Sequence, residues 1–163
     1  MSIPVTLITL AALALTTPGL ASPQQGQTGQ ACALLTADEI HAVTGATVSE
    51  TKPEMHGTTA TCNYHASGEL MPAVSLVLAQ GMPKVSSSKE MAAWRSKQGT
   101  TWGDIKVIIE PLEGLGYPAI RNEVEGVGLV TVEMAVKGRL LDVTTAKLDH
   151  SKALVTKASG RLR

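Results

Sequence analysis

Two cysteines, four histidines and six methionines supply the side chains of this sequence best suited to bind a soft metal or act as nucleophiles. Cys62 lies three residues before His65 and six after His56, with Met55, Met71 and Met82 on either side. Thioether and imidazole ligands suit Cu(I), which makes Met55, His56 and His65 the candidate metal ligands. Cys62 with His65 is a candidate nucleophile and base. The spacing of these residues is irregular, and Met71 and Met82 flank strand-like segments where packing accounts for them. No metal or other cofactor is therefore expected. No Gly-x-Ser-x-Gly elbow, phosphate-binding Walker loop, His-Glu-x-x-His or Cys-x-x-Cys is present, and these are the short motifs that carry hydrolytic, nucleotide or redox chemistry. No catalytic residue is assigned. His41 falls on a helix just after Glu39 and reads as an edge-packed helical histidine.

The fate of the cysteines depends on the compartment, and the N-terminus bears on that. Residues 3–20 form an uncharged, largely apolar run, broken by Pro18 and followed by the small residues Gly19 and Ala21. This is the pattern of a secretory signal peptide cleaved after Ala21, although its first residues carry no Lys or Arg. Residues 22–31, rich in Gln and Gly, read as a flexible tether, and 32–163 as one domain. In an oxidising compartment Cys32 and Cys62 are expected to pair. Closing that loop would stabilise the fold by roughly 3–4 kcal/mol. Cys32 lies too far behind the apolar run to carry a lipid, so the expected product is periplasmic or extracellular and not lipid-anchored. Fourteen basic residues balance fourteen acidic ones, and there are only two Trp, two Tyr and no Phe. That excludes the charge footprint of a nucleic-acid or anionic-membrane binder.

Several elements can be placed from local signals. Thr36-Ala37-Asp38-Glu39 is a capping box, Leu35 and Ile40 have hydrophobic-staple spacing, and Gly45 offers a left-handed stop; the helix spans about Ala37 to Thr44. A strand is expected at Ala46 to Thr51. Ala60, Cys62 and Tyr64 alternate with polar residues, placing Cys62 inward and His65 outward, and Val74, Leu76 and Leu78 share one face of the next strand. Ser87 to Glu90 opens a second helix, with Met91 and Trp94 three apart and Gly99 at its end. Ile105 to Ile109 is a strand expected to stop at Pro111. A hairpin turning at Lys137-Gly138 sets Val136 against Arg139, Met134 against Leu141, Val132 against Val143 and Val130 against Thr145. That register also opposes Glu133 and Asp142, read as two solvated carboxylates with Lys137 or Arg139 diagonal to them, not as a site. Asp149 is expected to cap a last helix carrying Leu154, Val155, Ala158 and Leu162. The fold class is α+β: a mostly antiparallel sheet with two or three helices packed on one face.

The run from Cys32 to Ile40, with Gly45, Cys62-Asn63-Tyr64 and Leu115 to Ala119, resembles a bacterial family of small exported domains of unknown function, many of them envelope lipoproteins. The resemblance implies a sheet-and-helix domain, with a shape like the photosystem accessory proteins of the PsbP type, and implies no catalytic residues. The chain departs from the lipoprotein members in lacking the lipidated cysteine. The expected function is a non-enzymatic, disulfide-stapled envelope domain that binds a protein or a small ligand. A periplasmic copper-binding protein and a hydrolase without a recognisable motif are the alternatives.

Overall fold

A computed structural model describes residues 29–82, 84–99, 101–102 and 105–162. The expected signal peptide and most of the tether lie outside these residues. Gly29 to Cys32 form a helical turn, and Ala31 is fully buried. The packed domain therefore takes in residues assigned to the tether.

Helix α1 spans Ala37–Thr44. Its capping box is complete: the Thr36 hydroxyl accepts from the Glu39 amide, and the Glu39 carboxylate accepts from the Thr36 amide at 3.0 Å. Gly45 ends the helix at φ 77°, a left-handed conformation costly for a residue with a Cβ. Leu35 and Ile40 are both buried, as the staple requires.

The strands are β1 (Val48–His56), β2 (Thr59–Ala66), β3 (Val74–Gln80), β4 (Thr101–Trp102), β5 (Ile105–Leu112), β6 (Ala119–Val124), β7 (Val130–Val136) and β8 (Arg139–Thr145). They form one antiparallel sheet in the order β1-β2-β3-β8-β7-β6-β5-β4. Two meanders thus meet where β8 pairs with β3. Helix α2 (Ser88–Ser96) carries the chain from β3 to the far edge, and α3 (Leu148–Ser159) follows β8.

The β7–β8 register matches the expected pairs, including Glu133 with Asp142. Both residues of its turn have positive φ, 51° at Lys137 and 77° at Gly138, the two-residue turn whose twist suits a hairpin. Two strands run further than expected, each through a proline: β1 through Pro53, β5 through Pro111. Proline cannot donate to a ladder, but β1 is the sheet edge, and β5 pairs with β4 only at Ile105 and Lys106. Each proline therefore needs a partner on one side only.

Alternation along the strands sorts the two faces. Ala60, Cys62, Tyr64, Val74, Leu76, Leu78, Val132, Met134, Leu141 and Val143 point to one face, where α1 and α3 cover them with Ile40, Leu154, Val155 and Ala158, joined by Leu162 from just beyond α3. Each fully buried aliphatic side chain there contributes about 1.5–3 kcal/mol. Ser151, fully buried on α3, donates to the Val130 carbonyl at 2.8 Å and shares a hydrogen bond with Thr145, so the helix is fixed to the sheet by polar bonds as well. Helix α2 takes the opposite face, over β5 and β6, where Met91 and Ile120 are buried. Two helices thus share one face, and the third lies across the sheet from them. Nor does Asp149 cap α3. The N-cap is Lys147, which has no side-chain cap bond; Thr145 Oγ1 accepts from the Lys147 amide, and Asp149 falls in the first turn.

Candidate functional site

The bridge between Cys32 and Cys62 is formed, with Cα atoms 5.1 Å apart and 30 residues of separation. It ties the segment before α1 to β2 at the centre of the core. Tyr64, two residues on from Cys62 on the same face, reinforces the tie: its hydroxyl lies 3.2 Å from the Cys32 and Leu35 carbonyl oxygens and can donate to either. Burial raises the Tyr64 pKa to about 12, so the hydroxyl keeps its proton. With both sulfurs bonded, neither a Cys62 thiolate nor a free Cys32 thiol is left for catalysis or metal binding.

The candidate metal ligands are not brought together. His56 is exposed at the β1 end of the hairpin, its Nε2 3.6 Å from Glu54. His65 pairs with Glu50, six residues back along β1 from His56, a separation of about 20 Å at the rise of a strand. Met55 pairs with Ala60 and packs half-buried against the core, on the face opposite to His65.

A pocket of about 280 Å³ opens beside the stapled segment, lined by Gln30, Ala33, Leu34, Leu78, Arg139, Arg161 and Leu162. Its wall is the end of the main core: Leu34, Leu78 and Leu162 are 5%, 2% and 6% exposed. Arg139 reaches it because β8 alternates. Leu141 and Val143 point into the core, and Arg139 is the next residue of that stripe, at the strand's first position. Arg161 reaches it from beyond α3, held in place by both Glu39 oxygens, at 2.7 and 2.8 Å, and by the Leu34 carbonyl at 2.8 Å. That guanidinium holds the Glu39 carboxyl below its ordinary pKa. Lys137, at the same end, donates to the Leu162 carbonyl at 3.0 Å. The sequence register already placed Arg139 against Val136. What it lacked was the tertiary contact bringing residues 30–34 and Arg161 to the same end of the sheet.

A second cluster corrects the reading of Glu133 and Asp142 as solvated. Glu133 is 2% exposed. Its counterion comes not from Lys137 or Arg139 but from α2: Arg95 Nε donates to Glu133 Oε1 at 3.0 Å, and Asn122 Nδ2 donates to the same oxygen. Helix α2 lies on this face, which local sequence could not show. Glu133 Oε2 and Asp142 Oδ1 are both sealed from solvent without a hydrogen-bond partner. Burial, then the neighbouring Glu133 carboxylate, push the Asp142 carboxyl well above its ordinary pKa, with Arg95 opposing. A proton on Asp142 would supply the donor that two facing carboxylate oxygens lack.

No helix among the described residues is long and apolar enough to cross a membrane. No protein-family model matches the chain, and no curated protein matches it.

Proposed function

We propose that this chain is an exported, non-enzymatic binding domain of the bacterial cell envelope, stapled by Cys32–Cys62 and not anchored by lipid. The observation that carries the reading is the bridge. Disulfides persist in oxidising compartments, and this one joins residues 30 apart at the fully buried Cys62. The signal-peptide pattern of residues 1–21 and the resemblance of Cys32 to Ile40 and Cys62 to Tyr64 to small exported domains support the same placement. Because Cys32 Sγ is committed to the bridge, it is not a lipid attachment point.

Binding, as opposed to catalysis, is supported by what lines the pocket. Among the described residues its polar side chains are Gln30, Arg139 and Arg161, which can hold a ligand but offer neither a nucleophile nor a carboxyl or imidazole to move a proton. The carboxylate pair lies on the other face of the sheet, with Glu133 sealed beneath Arg95. The test of placement fuses residues 1–31 to a reporter enzyme that is active only outside the cytoplasm, with a second fusion lacking residues 2–21. Reporter activity that depends on residues 2–21 is the expected result. Equal activity from both fusions, or none from either, would overturn the export reading.

A further inference from the structure

Glu133 and Asp142 bring two carboxyl groups to one guanidinium on the face of the sheet that α2 covers in part. The side chains around them are otherwise neutral. In register, Val77 of β3 flanks Asp142 and Ile120 of β6 flanks Glu133. Asn122 on β6, Thr131 and Ala135 on β7, and Leu140 and Thr144 on β8 are the next residues of this face. Among the described residues Arg95 is the one charge of α2 that reaches the pair; Lys89 and Lys97 are exposed, and Glu90 accepts from Ser86.

The donors are unevenly placed. Arg95 Nε and Asn122 Nδ2 both donate to Glu133 Oε1, which leaves Glu133 Oε2 and Asp142 Oδ1 sealed and without a donor. The two Nη groups of Arg95 make no hydrogen bond among the described residues, so most of its guanidinium donors are unspent. A proton on the pair supplies one donor and leaves one carboxylate to one cation. Without that proton two like charges face each other across directly opposed positions of the ladder. Strands β7 and β8 are interior, each paired on both sides, and do not part. Nor is the N-terminal end of α2 free: Ser88 Oγ donates to the Leu112 carbonyl and accepts from the Ala119 amide at 3.2 Å, and Met91 is buried. The end that can respond is the one carrying Arg95, whose side chain is 36% exposed and whose planar fork is suited to carboxylates.

We propose that Glu133, Asp142 and Arg95 form a pH-sensitive clamp: with one proton on the carboxyl pair Arg95 holds Glu133 alone, and on its loss the Nη groups turn to Asp142 and draw the last turn of α2 toward β8. Burial and the Glu133 charge favour the protonated Asp142 carboxyl to above the ordinary aspartate range, so the clamp closes as pH rises. The experiment is a pH titration by nuclear magnetic resonance of the full chain, expressed for export and purified with the bridge intact. It follows the Asp142 carboxyl carbon and the Arg95 guanidinium. The Asp142 signal should titrate above the ordinary aspartate range, and the Arg95 Nη hydrogens should become protected from exchange with the same midpoint. Asp142→Asn keeps a donor facing Glu133 and cannot ionise, so its Arg95 signals should stay in the acid-side state throughout. Glu133→Gln removes the facing charge and should lower the Asp142 midpoint; it serves if Asp142→Asn fails to fold. Asp142 titrating in the ordinary range, Asp142 titrating with Arg95 unmoved, an Arg95 step that survives Asp142→Asn, or an Asp142 midpoint unchanged by Glu133→Gln would overturn the proposal.

Discussion

Replacing both cysteines by alanine removes the covalent tie between the segment before α1 and β2 while leaving most native contacts of that segment in place. Ala31, Leu34 and Leu35 remain buried, and the Tyr64 hydroxyl still reaches the Cys32 and Leu35 backbone carbonyls. The loss therefore falls mainly on the unfolded chain, which is freed from a loop of 30 residues. In the chain-entropy treatment that loop is worth about 3.6 kcal/mol at 25 °C. The two sulfurs add about 1 kcal/mol of lost packing, because Cys62 is fully buried. The sum of about 4–5 kcal/mol corresponds to a fall in melting temperature of roughly 15–20 °C for a domain of this size. Urea denaturation of the oxidised, reduced and double-alanine proteins separates the two parts: reduction reads the loop, and the alanine variant reads loop plus packing. The denaturant slope should rise in both, since a less constrained unfolded chain exposes more surface. A loss below about 1 kcal/mol on reduction, with an unchanged slope, would refute the assignment of the bridge's effect to the unfolded state.

Further outcomes follow from the polar contacts. The Asp142 carboxyl holds its proton more tightly in the fold than in the unfolded chain, so its favourable contribution is complete below the ordinary aspartate pKa and is lost as pH rises through the raised value. Stability measured by denaturant across pH should therefore decline relative to Asp142→Asn as pH rises, with the variant the more stable of the two at the alkaline end. Arg95→Ala leaves Glu133 buried with Asn122 as its one donor. It should cost about 2–3 kcal/mol in equilibrium unfolding, and Arg95→Ala combined with Glu133→Gln should recover part of that cost. Tyr64→Phe removes the hydroxyl shared by two backbone carbonyls and should cost about 1 kcal/mol by the same assay, with an intact bridge by thiol titration.

Much of the fold was legible because its signals are local. The capping box at Thr36 and Glu39, the stop at Gly45 and the β7–β8 register each rest on residues within one turn or one hairpin of one another, and the structure reproduces them. Pro111 was read as a limit because proline in a strand interior loses a ladder bond, and the first strand was expected to end at Thr51, short of Pro53. Their tolerance depends on which strands lie at an edge, a fact of sheet order that no local window contains. The burial of Glu133 was missed for a similar reason. The register found its neighbour Asp142, but the residue that decides its environment is Arg95, 38 positions away on a helix whose face could not be assigned in advance. The pocket was not legible. The register set Arg139 against Val136 but read it as a diagonal partner of the outward carboxylates, and Arg161 and its clamp on Glu39 span 122 residues and appear once α3 is docked against α1.

Intact-mass analysis of the protein recovered from the envelope fraction of cells expressing the full chain tests export and stapling at once. The expected species begins at Ser22, weighs two hydrogens less than its sequence, and takes up no alkylating reagent until it is reduced. A cytoplasmic species beginning at Met1 or Ser2, with both thiols alkylated without prior reduction, would contradict the placement from which the function is argued.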